Sequence, residues 1–220
     1  MATFLIIPAA GSGTRLKSPG PKALVPILGR SILSWTLDAF EGVAFDRIVI
    51  VVPPERMPEF ERILRGRAAV VAGAATRSGS VRRGFQALGA AGEDLICIHD
   101  AARPLITSGE IESVLSAARN GGAATAATPI VDTVKRVAGE RIVATIDREG
   151  LYAAGTPQAF RADLLGKAFE TGREATDEAG LLELLGVGVA AVPVSRWNLK
   201  ITTPEDLELA EALLKLRGKG

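Results

Sequence analysis

The chain has little of what several protein classes require. A single cysteine, Cys97, rules out an internal disulfide. It sits in the apolar run Leu95-Ile96-Cys97-Ile98, where a buried, inert thiol and a reducing compartment are expected. A single histidine, His99, excludes a metal site built from several imidazoles and reads as a structural neighbour of Asp100 rather than a base. Net charge is almost absent: 26 Lys and Arg against 25 Asp and Glu give no basis for wholesale binding of nucleic acid or an anionic membrane. Any phosphate binding must come from local charge. No segment approaches the ~18 uninterrupted apolar residues of a membrane span. The opening MATFLIIPAAGSG has no basic leader, and Pro8, Gly11 and Gly13 break its apolar run, so a buried first strand is expected there rather than a secretion signal. The expectation is a cytoplasmic protein of one domain over 1–220, with no linker, repeat or low-complexity segment.

What is present is alternation of short β-rich and helical runs. They fall at Thr3–Ala9, Ile32–Phe40, Arg47–Val52, Pro58–Leu64, Val70–Val71, Val81–Leu88, Leu95–His99 and Glu110–Arg119. Strands apolar on both faces between helices predict an α/β fold, a mostly parallel Rossmann-like sheet with helices on both faces. Ligands in such sheets sit at the carboxyl ends of the strands. From about 130 to 157 the pattern changes: Val131–Val137 and Arg141–Ile146 alternate by residue around Ala138-Gly139-Glu140, predicting a protruding β-hairpin arm. Exposed strand edges need a partner, so the arm is expected to build a homodimer. Helices at Ala162–Thr171 and Glu178–Leu185, a strand at Val187–Val194 and a helix opening at Thr203-Pro204-Glu205-Asp206 complete the chain.

Two motifs carry chemistry. In Pro8-Ala9-Ala10-Gly11-Ser12-Gly13-Thr14-Arg15-Leu16, followed by Pro21-Lys22, small residues after the first strand let backbone N–H groups crowd round a polyphosphate, and Arg15 and Lys22 add charge. A dinucleotide-binding turn fails because Leu16 stands where the third glycine belongs, and a P-loop fails for want of G-K-[ST]. Alone, a glycine pair after a strand is as readily a tight turn. The second motif, His99-Asp100-Ala101-Ala102-Arg103-Pro104, places a carboxylate at the end of a central strand, where it could hold Mg²⁺ bridged to substrate phosphates. Alone, Asp100 and Arg103 could equally pair in a structural turn.

Taken together with Asp132-Thr133-Val134-Lys135, Asp147–Tyr152, Gly155-Thr156-Pro157-Gln158, Ala175-Thr176-Asp177-Glu178-Ala179 and Asn198–Asp206, these segments resemble the 2-C-methyl-D-erythritol 4-phosphate cytidylyltransferases along essentially the whole chain. The glycine loop is shared with sugar-phosphate nucleotidyltransferases generally, whereas HDAARP, TPQ, TDEA and the Asn198–Asp206 run are specific. The resemblance implies a nucleotide-diphospho-sugar transferase type of fold. It implies transfer of CMP from CTP to 2-C-methyl-D-erythritol 4-phosphate with release of pyrophosphate, and Mg²⁺ as cofactor. It implies CTP held by Ala9, Ala10, Gly11, Ser12 and Gly13, with Arg15 and Lys22 catalytic at the α-phosphate. Gly73, Arg77, Ser80 and Ala101 are implied around the nucleotide. Asp100, Arg103, Thr133, Arg148, Thr156, Thr176 and Lys200 are implied for the second substrate, with Arg148 reaching across a two-fold interface. One departure is visible: the family's Gly-Gly pair is Gly73-Ala74 here. The competing readings are another nucleotidyltransferase on the same fold, or a nucleotide-binding module without transferase activity. No fused cyclodiphosphate synthase is expected, since the chain ends soon after the last helix and lacks histidines for that metal site.

Overall fold

The computed structural model describes residues 1–11, 13–16 and 20–218. From β1 (Thr3–Pro8) the chain passes a glycine-containing loop and a two-residue ladder, β2 (Pro26–Ile27) with β3 (Arg30–Ser31), into α1 (Ile32–Ala39). Then come β4 (Arg47–Val52), α2 (Met57–Leu64), β5 (Ala69–Ala72), α3 (Arg77–Leu88), β6 (Leu95–Ile98), α4 (Ser108–Gly121) and β7 (Ala123–Pro129). A hairpin of β8 (Val134–Ala138) and β9 (Arg141–Ile146) leads to β10 (Tyr152–Arg161), α5 (Ala162–Glu170), α6 (Glu178–Glu183), β11 (Ala190–Pro193) and α7 (Pro204–Leu216).

Seven strands form one sheet in the order β11-β7-β10-β6-β1-β4-β5. Neighbours are parallel except where β10 lies antiparallel between β6 and β7. Alternate side chains explain why β1, β4 and β6 are almost wholly apolar. Leu5, Ile7, Ile50, Val52 and Cys97 enter one core with Leu33 and Leu37 of α1, Phe60 of α2 and Val114 of α4. Ile6, Val49, Val51, Ile96 and Ile98 enter another with Val81 of α3, Leu165 of α5 and Leu182 of α6. A third cluster joins Leu16, Trp35, Leu105 and Ile201 to Ala210 and Leu214 of α7.

Helix starts follow capping chemistry. Thr107 and Glu110 form a reciprocal capping box on α4, as do Thr203 and Asp206 on α7. Thr76 caps α3 by accepting the Gly79 N–H, which starts that helix four residues before the apolar pattern at Val81. Two strands of the central sheet lay outside the predicted pattern. β7 reads Ala-Ala-Thr-Ala-Ala-Thr-Pro, and β10 contains Gly155 and Pro157, yet β10 is a ten-residue strand of the central sheet. The hairpin turns on Gly139-Glu140 and forms a two-stranded sheet of its own. Its Val137, Ile142 and Val143 are more than half exposed.

Candidate active site

Between β1 and β6 the order of connection reverses: the chain runs outward through β4 and β5, then returns to β6 on the other side of β1. The loops leaving β1 and β6 therefore diverge and open a crevice at the carboxyl ends of the strands. A cleft of about 470 Å³ occupies this position, lined by Ala9, Ala10, Gly11, Lys22, Arg77, Ser80, Asp100, Ala101 and Lys200 together with Pro8, Ala23, Ala74, Ala75, Thr76 and Ala102.

The glycine loop folds back on Lys22. Gly13 has φ +72°, and a Cβ there would stand 3.0 Å from Lys22 Cβ, so backbone freedom and close approach both require glycine. The Lys22 N–H donates to the Gly11 carbonyl at 3.3 Å. Arg15 is exposed on the short helical turn Thr14–Leu16 and does not line the cleft, although its charge acts on Lys22. Burial, with Lys200 and Arg15 adding repulsion, lowers the Lys22 ammonium to about 8 against the pull of Asp100. Ser12 lies outside the described residues.

Across the cleft, the Gly73 N–H donates to Val52 O at 2.7 Å, and a Cβ on Gly73 would meet that oxygen, Ala10 Cβ and Ser80 Oγ within 3.2 Å. Ser80 Oγ donates to Thr76 O and accepts the Ala74 N–H, fixing the 73–80 wall. Arg83, outside the predicted set, donates to Gly73 O.

Asp100 is the hub. Its carboxylate lies 2.8 Å from Lys200 Nζ, 3.2 Å from Arg77 Nε and 3.7 Å from Arg103 Nε. Burial alone would raise its pKa, but the cations, Arg77 first, hold it well below the usual carboxylate range. The Asp100 N–H donates to Thr156 Oγ1 at 3.0 Å, tying β6 to β10. Arg103 donates to Asn198 O, and Asn198 Nδ2 donates to Thr156 O, so the segment carrying Lys200 is bound to the same hub. His99 is fully buried, and burial lowers its pKa to about 4. The ring is neutral at pH 7, so with Arg103 O at 3.0 Å from Nε2 the proton sits on Nε2.

The sequence reading left out Glu178. It is fully buried on the first turn of α6, and Arg77 donates to its Oε2 at 2.7 Å. Thr133, Arg148 and Thr176 are exposed and not among the cleft's lining. Arg148 donates to Val131 O at the base of the hairpin.

A glycine loop, two lysines, an arginine and one carboxylate around a crevice at a chain reversal suit an activated phosphate, and comparison with known proteins decides which. The family profile of 2-C-methyl-D-erythritol 4-phosphate cytidylyltransferase matches residues 3–216. The chain belongs to that family. It is thus a cytidylyltransferase, one of the nucleotidyltransferases. A protein so named from Syntrophotalea carbinolica is 40% identical over 229 residues, covering 99% of this chain and 98% of the relative. A bifunctional IspD/IspF enzyme from Desulfotalea psychrophila is 43% identical over 218 residues, and the chain spans 56% of its length. The crystal structure of the Thermus thermophilus cytidylyltransferase superposes with a TM-score of 0.84 at 37% identity, over 98% of this chain and 100% of that one. No helix among the described residues is long and apolar enough to cross a membrane.

Proposed function

We infer that this chain transfers CMP from CTP to 2-C-methyl-D-erythritol 4-phosphate, giving 4-diphosphocytidyl-2-C-methyl-D-erythritol and pyrophosphate in the non-mevalonate route to isoprenoid precursors. The observation that carries the mechanism is the convergence of Lys22, Lys200 and Arg77 on the cleft that holds Asp100. The acceptor is already an ionised phosphate monoester at neutral pH. Its oxygen attacks the α-phosphorus, a new P–O bond forms, and the bond to the β-phosphate oxygen breaks with its electrons leaving on pyrophosphate. No general base is needed, which suits a site whose one histidine is buried and neutral. Catalysis is then alignment plus charge: Lys22 and Arg15 stabilise the five-coordinate transition state and the departing pyrophosphate. The backbone at Ala9, Ala10, Gly11, Ser12 and Gly13 holds the triphosphate, while Gly73, Arg77, Ser80 and Ala101 shape the nucleotide wall. Asp100, Arg103, Thr133, Arg148, Thr156, Thr176 and Lys200 serve the acceptor.

Among the described residues no group of three or more His, Cys, Asp or Glu could hold a metal ion. One carboxylate facing the cleft fits Mg²⁺ that arrives on nucleotide phosphates, since this ion takes one or two protein carboxylates and keeps waters. Asp100 is the residue that would hold it, and when bound the ion would supply charge neutralisation on the phosphates.

The test is pyrophosphate release across four nucleoside triphosphates and several acceptor phosphates. Highest turnover is expected for CTP with 2-C-methyl-D-erythritol 4-phosphate and Mg²⁺. Faster turnover of GTP or ATP with a hexose 1-phosphate would overturn the substrate assignment.

The reading includes a cytoplasmic homodimer paired through the arm at about 130–157, where exposed Val131, Val137, Ile142 and Val143 give an apolar surface. Arg148, outside its own chain's cleft lining, then serves the neighbouring site. Mixing Arg15→Ala and Arg148→Ala after dissociation and reassociation should restore about a quarter of the sites, because half the dimers are mixed and each regains one intact site. A mixture as inactive as its components, with subunit exchange proven by mass, would assign Arg148 to its own chain.

A further inference from the structure

Glu178 is the one buried acid of the site that the mechanism leaves without a task. Its carboxylate is fully enclosed, with Oε2 on Arg77 and Oε1 without a partner among the described residues. Enclosing a carboxylate costs more than enclosing an apolar side chain of similar volume, so helix packing does not account for it. The helix is anchored by other means. Asp177 caps α6 by accepting the Gly180 N–H, and its second oxygen accepts Gln158 Nε2 from β10 at 2.7 Å. Ala179, Leu181 and Leu182 enter the core. What Glu178 alone touches with its charge is Arg77.

Arg77 bridges two carboxylates, with one guanidinium nitrogen on Glu178 and Nε on Asp100. Its side chain is 31% exposed and borders the cleft. A guanidinium in that place has two possible partners once a nucleotide enters: the carboxylates behind it, or the triphosphate in front. We propose that Glu178 is a positioning residue that commits Arg77 to the carboxylate side, keeping Asp100 oriented and leaving the triphosphate to Lys22 and Arg15. Without it, Arg77 swings forward onto the triphosphate, binding the nucleotide in the ground state without aiding transfer. Asp100 then loses one of its three cationic partners, the one on Oδ1.

The inference rests on the cytidylyl-transfer reading, and wild-type turnover of CTP with 2-C-methyl-D-erythritol 4-phosphate tests that reading separately in the same assay. Glu178→Gln keeps the shape of the side chain. It is expected to lower kcat by roughly tenfold while KM for CTP stays level or falls, the split produced when ground-state binding gains at the expense of the transition state. Arg77→Met removes the side chain through which Glu178 acts, so the double variant should be no slower than Arg77→Met alone, within about twofold. If Arg77→Met does not fold, Glu178→Asp and Arg77→Lys run the same cycle with the charges kept. An unchanged kcat in Glu178→Gln, or losses that multiply in the double variant while the wild type is active, overturns the assignment. So does a Glu178→Gln protein that unfolds while Arg77→Met folds, since Glu178 would then serve packing alone.

Discussion

Lys22→Ala is expected to lower kcat by roughly a hundredfold or more, with a much smaller change in KM for CTP. The Lys22 backbone and Cβ are fixed against Gly11 and Gly13, and the half-buried residue lines the cleft, so its charge is carried into the place where the proposed transfer builds up negative charge. A pH profile separates this role from simple attraction of an anion. Burial lowers the Lys22 pKa to about 8, so in the free enzyme the cation is complete well below that value and is lost as pH rises through it. The kcat/KM for CTP should therefore fall on the alkaline side with a midpoint near 8, and kcat should fall at higher pH, because bound triphosphate stabilises the ammonium. Lys22→Arg keeps the charge and should abolish the alkaline fall, whatever it does to the absolute rate. Wild-type kcat in Lys22→Ala with only a weakened KM would make Lys22 a binding group and end the catalytic assignment.

Asp100→Asn is expected to destabilise the protein by about 2–4 kcal/mol, lowering Tm by roughly 10 °C at neutral pH. The substitution strips the counter-charge from the largely buried Arg103 and removes one of the two carboxylates on Arg77, which keeps Glu178. Lys200 contributes little to this figure, since its side chain is 40% exposed and water screens it. The effect has a definite pH signature. Asp100 titrates below its unfolded value of 3.8, so its stabilisation is fully present above about 4 and is lost as pH falls toward the folded value. The gap in Tm between wild type and Asp100→Asn should narrow from pH 7 to about pH 3, as read by scanning calorimetry. A gap that stays constant, or a neutral-pH Tm within about 2 °C of wild type, would show that the cations find other partners and that the hub is not structural.

How much of this was legible from residues alone differs by element. β1, β4 and β6 announce themselves because both faces are buried, so every position after Thr3 and Arg47 at the strand starts is apolar and the run is unmistakable. β7 and β10 do not. Alanine and threonine at β7 carry no strong strand signal, and a glycine and a proline inside β10 argue against a central strand. Tertiary pairing on both sides overrides that preference. The cleft residues Ala9, Ala10, Gly11, Lys22, Asp100 and Ala101 were readable because they follow strands on either side of the chain reversal. Glu178 was hidden by its position: an acid in the first turn of a helix is ordinarily explained by the helix dipole. The available signal was its neighbours, since Ala179, Leu181 and Leu182 mark the face of α6 that turns inward. Arg148 and Thr133 are exposed and away from the cleft lining, so nothing in the chain's own packing marks them.

β10 gives the molecule a mechanical property that no single residue suggests. At one end Tyr152 pairs with Pro129 beside the base of the arm, and at the other Arg161 pairs with Leu95 at the start of β6. A ten-residue strand spans ~30 Å, so one rod, with a shift of register between Ala154 and Gln158, reaches from the base of the arm, past Thr156, to the start of β6. Thr156 lies on that rod and accepts the Asp100 N–H. The base of the arm and the hub of the cleft are thereby joined by one continuous strand and one hydrogen bond.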